Sequence, residues 1–382
     1  MNQTLTLLSQ LTPTQFLAEY WQKKPLLIRQ AIPGFSGLLD PNELAGLACE
    51  EDVQARLVSL KKGQWQVRSG PFDDADFAKL PKHDWTLLVQ GVNHYLPEAA
   101  ALLAQFNFIP HARLDDLMVS YAPKGGGVGP HFDSYDVFLL QGLGRRNWKI
   151  STQRDYTLIE SAPLKILQDF KTEQEWVLEP GDMLYLPPQV AHWGIADSDD
   201  CMTYSIGFRA PSAQELGQEF LAYMQEHLCL SGMYADPDLT LQAHPAEISA
   251  EMVQKVAAML RQITWRDDHI ADFLGRYLSE PKPHVLFEPN RKMSEAKFAE
   301  SLRAKTLTLN LKSQMLFWQD CFYLNGELFG EKTTALQANI HAAIRAMADS
   351  RTLHTSHLDD AEIALLAQWF YPAYLAGYVE FA

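Results

Sequence analysis

Cysteine is scarce in this 382-residue chain, and the four present (Cys49, Cys201, Cys229, Cys321) form no CxxC pair. That spacing excludes a zinc ribbon or a disulfide framework as the organising principle. Long apolar runs are missing too: no stretch approaches the ~20 residues that span a bilayer. The opening MNQTLTLLSQLTPTQF has no basic segment followed by an apolar one. A soluble cytoplasmic protein without a membrane partner is the expectation. Positive charge is in deficit, with 32 Lys and Arg against 47 Asp and Glu and a net charge of −15. A phosphate backbone rewards the opposite balance, so nucleic acid is not expected as the main partner. A basic polypeptide is compatible with such a surface. Internal repeats and low-complexity tracts are also absent.

What is there is ample core material. Hydrophobic residues make up 47% of the chain, with 9 Trp, 14 Tyr and 19 Phe, enough for two or three domains at this length. Thr12 or Thr14 is placed to cap a helix through FLAEYWQKK, and LLIRQAI reads as a strand. From about Asp116 to Arg209 the texture becomes short apolar runs between Gly and Pro turns: LMVSYA, DVFLLQ, NWKIS, EWVLEP, DMLYLP and MTYSIGF. Regularly spaced short strands imply an antiparallel barrel or sandwich. At Pro211 the pattern turns helical. Ser212 and Glu215 form a capping box ahead of Leu216, Phe220, Met224 and Leu228. Further helices are expected over Met252–Ile263 and His269–Leu278. Three such helices have little core of their own and must pack on the barrel or on a second copy. After a linker at Glu280–Pro283, a helix from Ser294, strands at TLTLNL, QMLFW and CFYL, a turn at Asn325–Gly326, helices over 335–348 and 359–374, and a terminal VEF suggest a winged helix.

The chemistry concentrates in residues 125–150 and 179–194. His131 and Asp133 are two apart, so on an extended strand both side chains leave one face. A third ligand is available in EPGDMLYLPPQVAHWG, where Gly181–Asp182 turns the chain into a strand, Pro187–Pro188 ends it, and His192 lies just beyond. Two His and one carboxylate occupy one face of an octahedron and leave open positions, as in non-haem iron(II) oxygenases, although zinc or manganese also accepts such ligands. An oxygenase of this kind needs a buried cation for the far carboxylate of 2-oxoglutarate. Arg146 is the better-placed candidate and Arg145 the alternate. Ser120 and Ser205, on flanking strands, are candidates for further cosubstrate contacts. Asp115 and Asp116 are candidates for pairing with a substrate guanidinium. The run GGGVG (125–129) lacks a G-K-[ST] ending, so it suits a tight turn better than a phosphate loop.

With FLAEYWQKKPLLI, the block around His131 and His192, SIGFRAP (205–211) and the helical and winged-helix-like regions, the chain resembles along essentially its whole length the JmjC-type bacterial ribosomal oxygenases. The resemblance implies an α+β fold: a double-stranded β-helix (cupin/JmjC) catalytic domain over 1–210, a helical dimerisation region over 211–280, and a winged-helix-like domain over 281–382. It also implies Fe(II) on His131, Asp133 and His192, 2-oxoglutarate on Arg146, and O2 as the second cosubstrate. Many JmjC enzymes carry lysine where the bacterial branch has this arginine. The expected activity is hydroxylation of an arginine side chain in protein sixteen of the large ribosomal subunit, a basic partner, by a homodimer. N-methyl demethylation through the same site and a non-oxidative metal-binding cupin are the alternatives.

Overall fold

The computed structural model describes residues 3–330 and 338–382. The chain forms two compact units: Met1–Ala210 with Pro281–Ser313 and Phe370–Ala382, and Pro211–Glu280 with Gln314–Trp369. The breaks at 210/211 and 280/281 fall at the two changes of sequence texture. The expected third segment, 281–382, is not one compact unit, because its two ends pack with the first unit and its middle with the second. Aromatic packing holds those ends together. Phe298, on the helix Glu295–Ala304 capped by Ser294, packs with tilted ring contacts against Tyr371, Tyr374 and Phe381. The strand Leu307–Leu309 pairs antiparallel with Val379–Phe381.

The first unit begins with α1 (Pro13–Glu19), whose Thr12 cap and Gln15 exchange hydrogen bonds while Pro13 supplies a helical φ at the first position. There follow β1 (Leu26–Ile28), α2 (Pro41–Leu47), β2 (Ala55–Lys61), β3 (Gln64–Ser69), α3 (Asp74–Ala78), β4 (Trp85–Val89) and α4 (Pro97–Ala104). Then come β5 (Leu114–Ala122), β6 (Val137–Leu143), β7 (Arg146–Ser151), β8 (Gln174–Leu178), β9 (Met183–Leu186), β10 (Ala191–Ala196) and β11 (Cys201–Phe208). An eight-stranded sheet runs β1-β9-β6-β11-β5-β4-β2-β3, and a three-stranded sheet runs β10-β7-β8. The pairings are antiparallel throughout. Strands β2–β4 extend the large sheet from a region where the sequence showed only mixed signals.

Strand alternation explains how one sheet serves two interiors. Val137 and Leu139 of β6 pack with Trp148, Ile150, Leu178, Leu184 and Leu186 in the space between the sheets. Phe138 and Leu140, one residue out of phase, join Phe16, Tyr185, Tyr204 and Ile206 on the side covered by the N-terminal helices. Buried polar groups pin this arrangement. Asp136, fully buried, accepts from Tyr185 Oη (2.7 Å) and Gln22 Nε2 (2.9 Å). Asp182 accepts from Arg29 Nη1 (2.6 Å) and the Gln30 amide (2.9 Å), which ties β1 to the turn entering β9. Gly181 in that turn has φ +90°, and a Cβ there would sit 2.8 Å from the Ile32 carbonyl, so only glycine fits.

The second unit contains α5 (Ala213–His227), with the expected Ser212–Glu215 capping box, α6 (Ala250–Leu260) and α7 (Asp267–Ser279). Helix α5 buries Met224, while Phe220 packs edge-on against Trp265 and Phe273. Helix α6 buries none of its residues, leaving Met252, Val253 and Leu260 exposed. Strands Met315–Trp318, Cys321–Leu324 and Glu327–Phe329 form a meander, with Asn325 (φ 51°) and Gly326 (φ 90°) making the expected two-residue turn. The helix expected over 335–348 is observed over Ala338–Ser350; residues 335–337 lie outside the described residues. Among the described residues no helix is long and apolar enough to cross a membrane.

Candidate metal centre

His131 and His192 meet at an isolated antiparallel bridge. The His131 amide donates to the His192 carbonyl (3.0 Å) and the His192 amide to the His131 carbonyl (2.7 Å), which brings the ring centroids to 4.2 Å. One sequence expectation needs correction here. His131 and Asp133 do not share a continuous strand: His131 occupies only the bridge, and Asp133 lies in the irregular segment between it and β6. His192 lies just beyond Pro187–Pro188, in β10, because the Pro187–Pro188 turn leads into a new strand at Ala191. The same turn fixes Asp133, whose carbonyl accepts from the Gln189 amide at 2.7 Å.

The imidazoles are oriented by backbone carbonyls. Nδ1 of His131 lies 3.0 Å from the Gly129 carbonyl, and Nδ1 of His192 lies 2.9 Å from that of Val190. A carbonyl only accepts, so Nδ1 carries the hydrogen and Nε2 presents its lone pair. His192 Nε2 is 3.6 Å from Asp133 Oδ2. One ligand atom from each of the three residues falls within 4.8 Å of the others. Burial, reinforced by the neighbouring His131 ring, holds His192 down at about 4, so it is neutral and able to ligate at physiological pH. The donor set, two imidazole nitrogens and a carboxylate, suits a divalent transition metal.

These residues open onto a cavity of about 500 Å³ between the two sheets. Arg146 lies in its lining, 4% exposed, with Nε and Nη2 lacking any hydrogen-bond partner among the described residues. A buried guanidinium with two free donors is costly unless an acceptor with two oxygens joins it. Arg145 points the other way and pairs with Asp197 (3.3 Å) on the surface. Ser120 and Ser205 both line the cavity and are buried, and Ser120 Oγ lies 3.5 Å from the Thr203 carbonyl. Thr203, across from Ser120 on β11, donates instead to Gln141 Oε1 (3.0 Å).

Sequence reasoning missed several polar groups of this cavity, two of them buried. Trp148 Nε1 and Thr86 Oγ1 are buried in the lining without partners among the described residues. Trp148 stands two residues after Arg146 on β7, so strand periodicity alone places it on the same face. Its ring fits because position 194 is glycine: a Cβ there would come 2.6 Å from the indole. Thr86 comes from β4 and carried no local signal. At the cavity mouth, Asp115 and Asp116 are joined by Tyr135 and by Lys282, whose Nζ lies 2.9 Å from Asp115 Oδ1 and 4.0 Å from Asp116 Oδ2. Asp115 also faces Arg209 Nε at 3.5 Å. Asp116 accepts from the Gly91 amide (2.9 Å), and burial pushes its carboxyl above the usual aspartate range.

Residues 101–216 match the model of the JmjC domain, and residues 259–376 match that of the ROXA-like winged helix. The chain is similar to the ribosomal protein uL16 3-hydroxylase of Escherichia coli K12, with 35% identity over 91% of either chain. It is 42% identical to a probable ribosomal oxygenase of Haemophilus influenzae, over 60% of this chain and 56% of that one. Among solved structures, the E. coli ribosomal oxygenase YcfD in complex with cobalt and 2-oxoglutarate superposes with a TM-score of 0.80 at 34% identity. That match covers 97% of this chain and 98% of the other.

Proposed function

The chain belongs to the JmjC-domain ribosomal oxygenases, and from that we propose that it is an iron(II)- and 2-oxoglutarate-dependent hydroxylase acting on an arginine side chain of ribosomal protein uL16. One observation carries the reading. Two imidazoles and a carboxylate converge in the same cavity as a buried arginine whose Nε and Nη2 have no partner among the described residues. The first group suits iron and the second suits the far carboxylate of the cosubstrate.

In this reading His131, Asp133 and His192 hold the metal, with the Gly129 and Val190 carbonyls keeping both imidazoles in the ligating tautomer. Arg146 receives the 2-oxoglutarate carboxylate through Nε and Nη2, and Ser120 and Ser205 lie beside it. Iron(II), 2-oxoglutarate and dioxygen together supply the oxidising power, releasing succinate and carbon dioxide as an oxygen atom enters a substrate C–H bond. The apolar walls formed by Val137, Leu139 and Ile166 keep bulk water from the reacting centre. Asp115 and Asp116 at the mouth offer carboxylates to an entering guanidinium. That acidic mouth on a chain of net charge −15 suits a basic ribosomal protein, and such a substrate implies a cytoplasmic setting.

Residues 211–280 are assigned to homodimerisation. The exposed apolar residues Leu221, Met233, Ile248, Val253 and Leu260 lie within that segment, and an apolar surface of this kind favours a partner. Residues 1–210 form the catalytic region and the later segment a winged-helix-like platform. The test is incubation of the purified protein with Fe(II), 2-oxoglutarate and uL16, followed by mass spectrometry of the peptides. Gain of one oxygen on an arginine is expected. Loss of a methyl group would instead establish demethylation, and an unchanged uL16 would overturn the substrate assignment.

A further inference from the structure

Lys282 reaches the cavity mouth from a part of the chain far from the barrel strands. It stands between Pro281 and Pro283 at the start of the segment that returns to the first unit. The prolines fix their own φ, and Pro283 confines Lys282 to extended backbone. A stiff support therefore delivers a flexible side chain. Its ammonium contacts Asp115 and approaches Asp116, the carboxylates assigned above to the substrate cation.

Charge accounting at the mouth is informative. Asp115 and Asp116 are matched by Lys282 and Arg209, so no negative charge is left over for an entering cation. One resident must yield. The Arg209 side chain is the less exposed of the two, at 25%, and its backbone carbonyl is held by Arg113 Nε at 2.6 Å. The Lys282 side chain is 38% exposed, and its four-carbon stem has room to swing into solvent.

We propose that Lys282 is a tethered occupant of the substrate's cation subsite, displaced when the target arginine enters, and that it thereby lowers the affinity for every side chain that must replace it. An entering lysine would exchange one ammonium for another and gain little. A guanidinium brings a planar fork able to engage two carboxylate oxygens at once, and so outcompetes the resident. The displacement cost is common to both cations, so the guanidinium's own bonds decide between them and Lys282 sets how strong an entrant must be. The proposal rests on the reading of Asp115 and Asp116 as the cation-recognising pair.

The test measures binding of purified uL16 by calorimetry to the full-length protein loaded with cobalt(II) and 2-oxoglutarate. It is repeated with uL16 carrying lysine at the arginine that mass spectrometry identifies. Lys282→Ala, and Lys282→Met which keeps much of the stem, should bind uL16 roughly three- to five-fold more tightly, as expected for losing a half-exposed ion-pair competitor. Both variants should gain by a similar factor on the lysine-bearing uL16, because displacement costs the same whichever cation enters, while Lys282→Arg should bind no more tightly than the parent. Structural damage does not tighten binding. Unchanged or weaker binding by both neutral variants overturns the role of Lys282 and leaves the substrate reading standing. Absence of uL16 binding to the unmodified protein and all variants overturns the substrate reading itself.

Discussion

Replacing Arg146 by Met removes the guanidinium while keeping an unbranched stem, and it should move ligand-free stability and cosubstrate affinity in opposite directions. Nε and Nη2 are buried without partners among the described residues, and with no cosubstrate bound each carries a desolvation cost of about 1–3 kcal/mol. Arg146→Met should therefore stabilise the ligand-free protein by about 1–2 kcal/mol, raising Tm by a few degrees. When 2-oxoglutarate binds, the variant lacks both charge-assisted bonds, each worth about 1.5–3 kcal/mol. A loss of at least ~3 kcal/mol weakens Kd by roughly 150-fold. The assay is thermal unfolding with cobalt(II) present and 2-oxoglutarate titrated. Stabilisation grows as RT ln(1 + [L]/Kd), so the variant's curve should shift by about two decades in ligand concentration. Arg145→Met should leave the curve in place, because Arg145 is half-exposed and paired with Asp197. A Kd for Arg146→Met within about three-fold of the parent would refute the reasoning; a shift in Arg145→Met would move the role there.

Gly194→Ala should destabilise the protein by about 1–3 kcal/mol in urea titration, since the new methyl meets the Trp148 indole at 2.6 Å. It should also weaken 2-oxoglutarate binding, because the strand it disturbs pairs with that of Arg146. Asp116→Asn should raise stability by about 1–2 kcal/mol at pH 8 and by little at pH 4. Burial raises the folded pKa of Asp116, so the parent is relatively stable below the ordinary aspartate pKa and loses that stability as pH rises through the elevated value. Equal effects at both pH values in thermal unfolding would contradict this. Val253→Glu, on the exposed face of α6, should convert a dimer to monomers by light scattering without changing the far-ultraviolet circular dichroism spectrum; a dimer that persists would place the interface elsewhere.

Local chemistry was the most legible part of the sequence. The caps at Thr12, Ser212 and Ser294 are helix N-termini in the structure because a hydroxyl bonding a nearby amide depends on three or four residues only. The Asn325–Gly326 turn was equally local. His131, Asp133 and His192 are brought together although the support of the first two differs from the expected strand. An isolated bridge and an irregular segment take its place. What stayed hidden depends on pairing between distant segments. Strands β2–β4 join the sheet through β5, which places Thr86 in the cavity; nothing near Thr86 marks it as different from an ordinary strand residue. Lys282 looked like part of a linker, and only closure of the chain sets it against Asp115. The segment 281–382 read as one domain because it carries a run of elements, but Phe298, Tyr374 and Phe381 pack with the barrel unit.

The central claim is that His131, Asp133 and His192 form an iron site that couples 2-oxoglutarate turnover to protein hydroxylation. Its most direct test is to count succinate formed against oxygen atoms incorporated into uL16, for the parent and for Asp133→Ala, with folding of the variant verified by circular dichroism. The expected result is one succinate per oxygen incorporated in the parent and neither product from a folded Asp133→Ala. Succinate and hydroxylated uL16 formed at the parent's rate by Asp133→Ala would contradict the account.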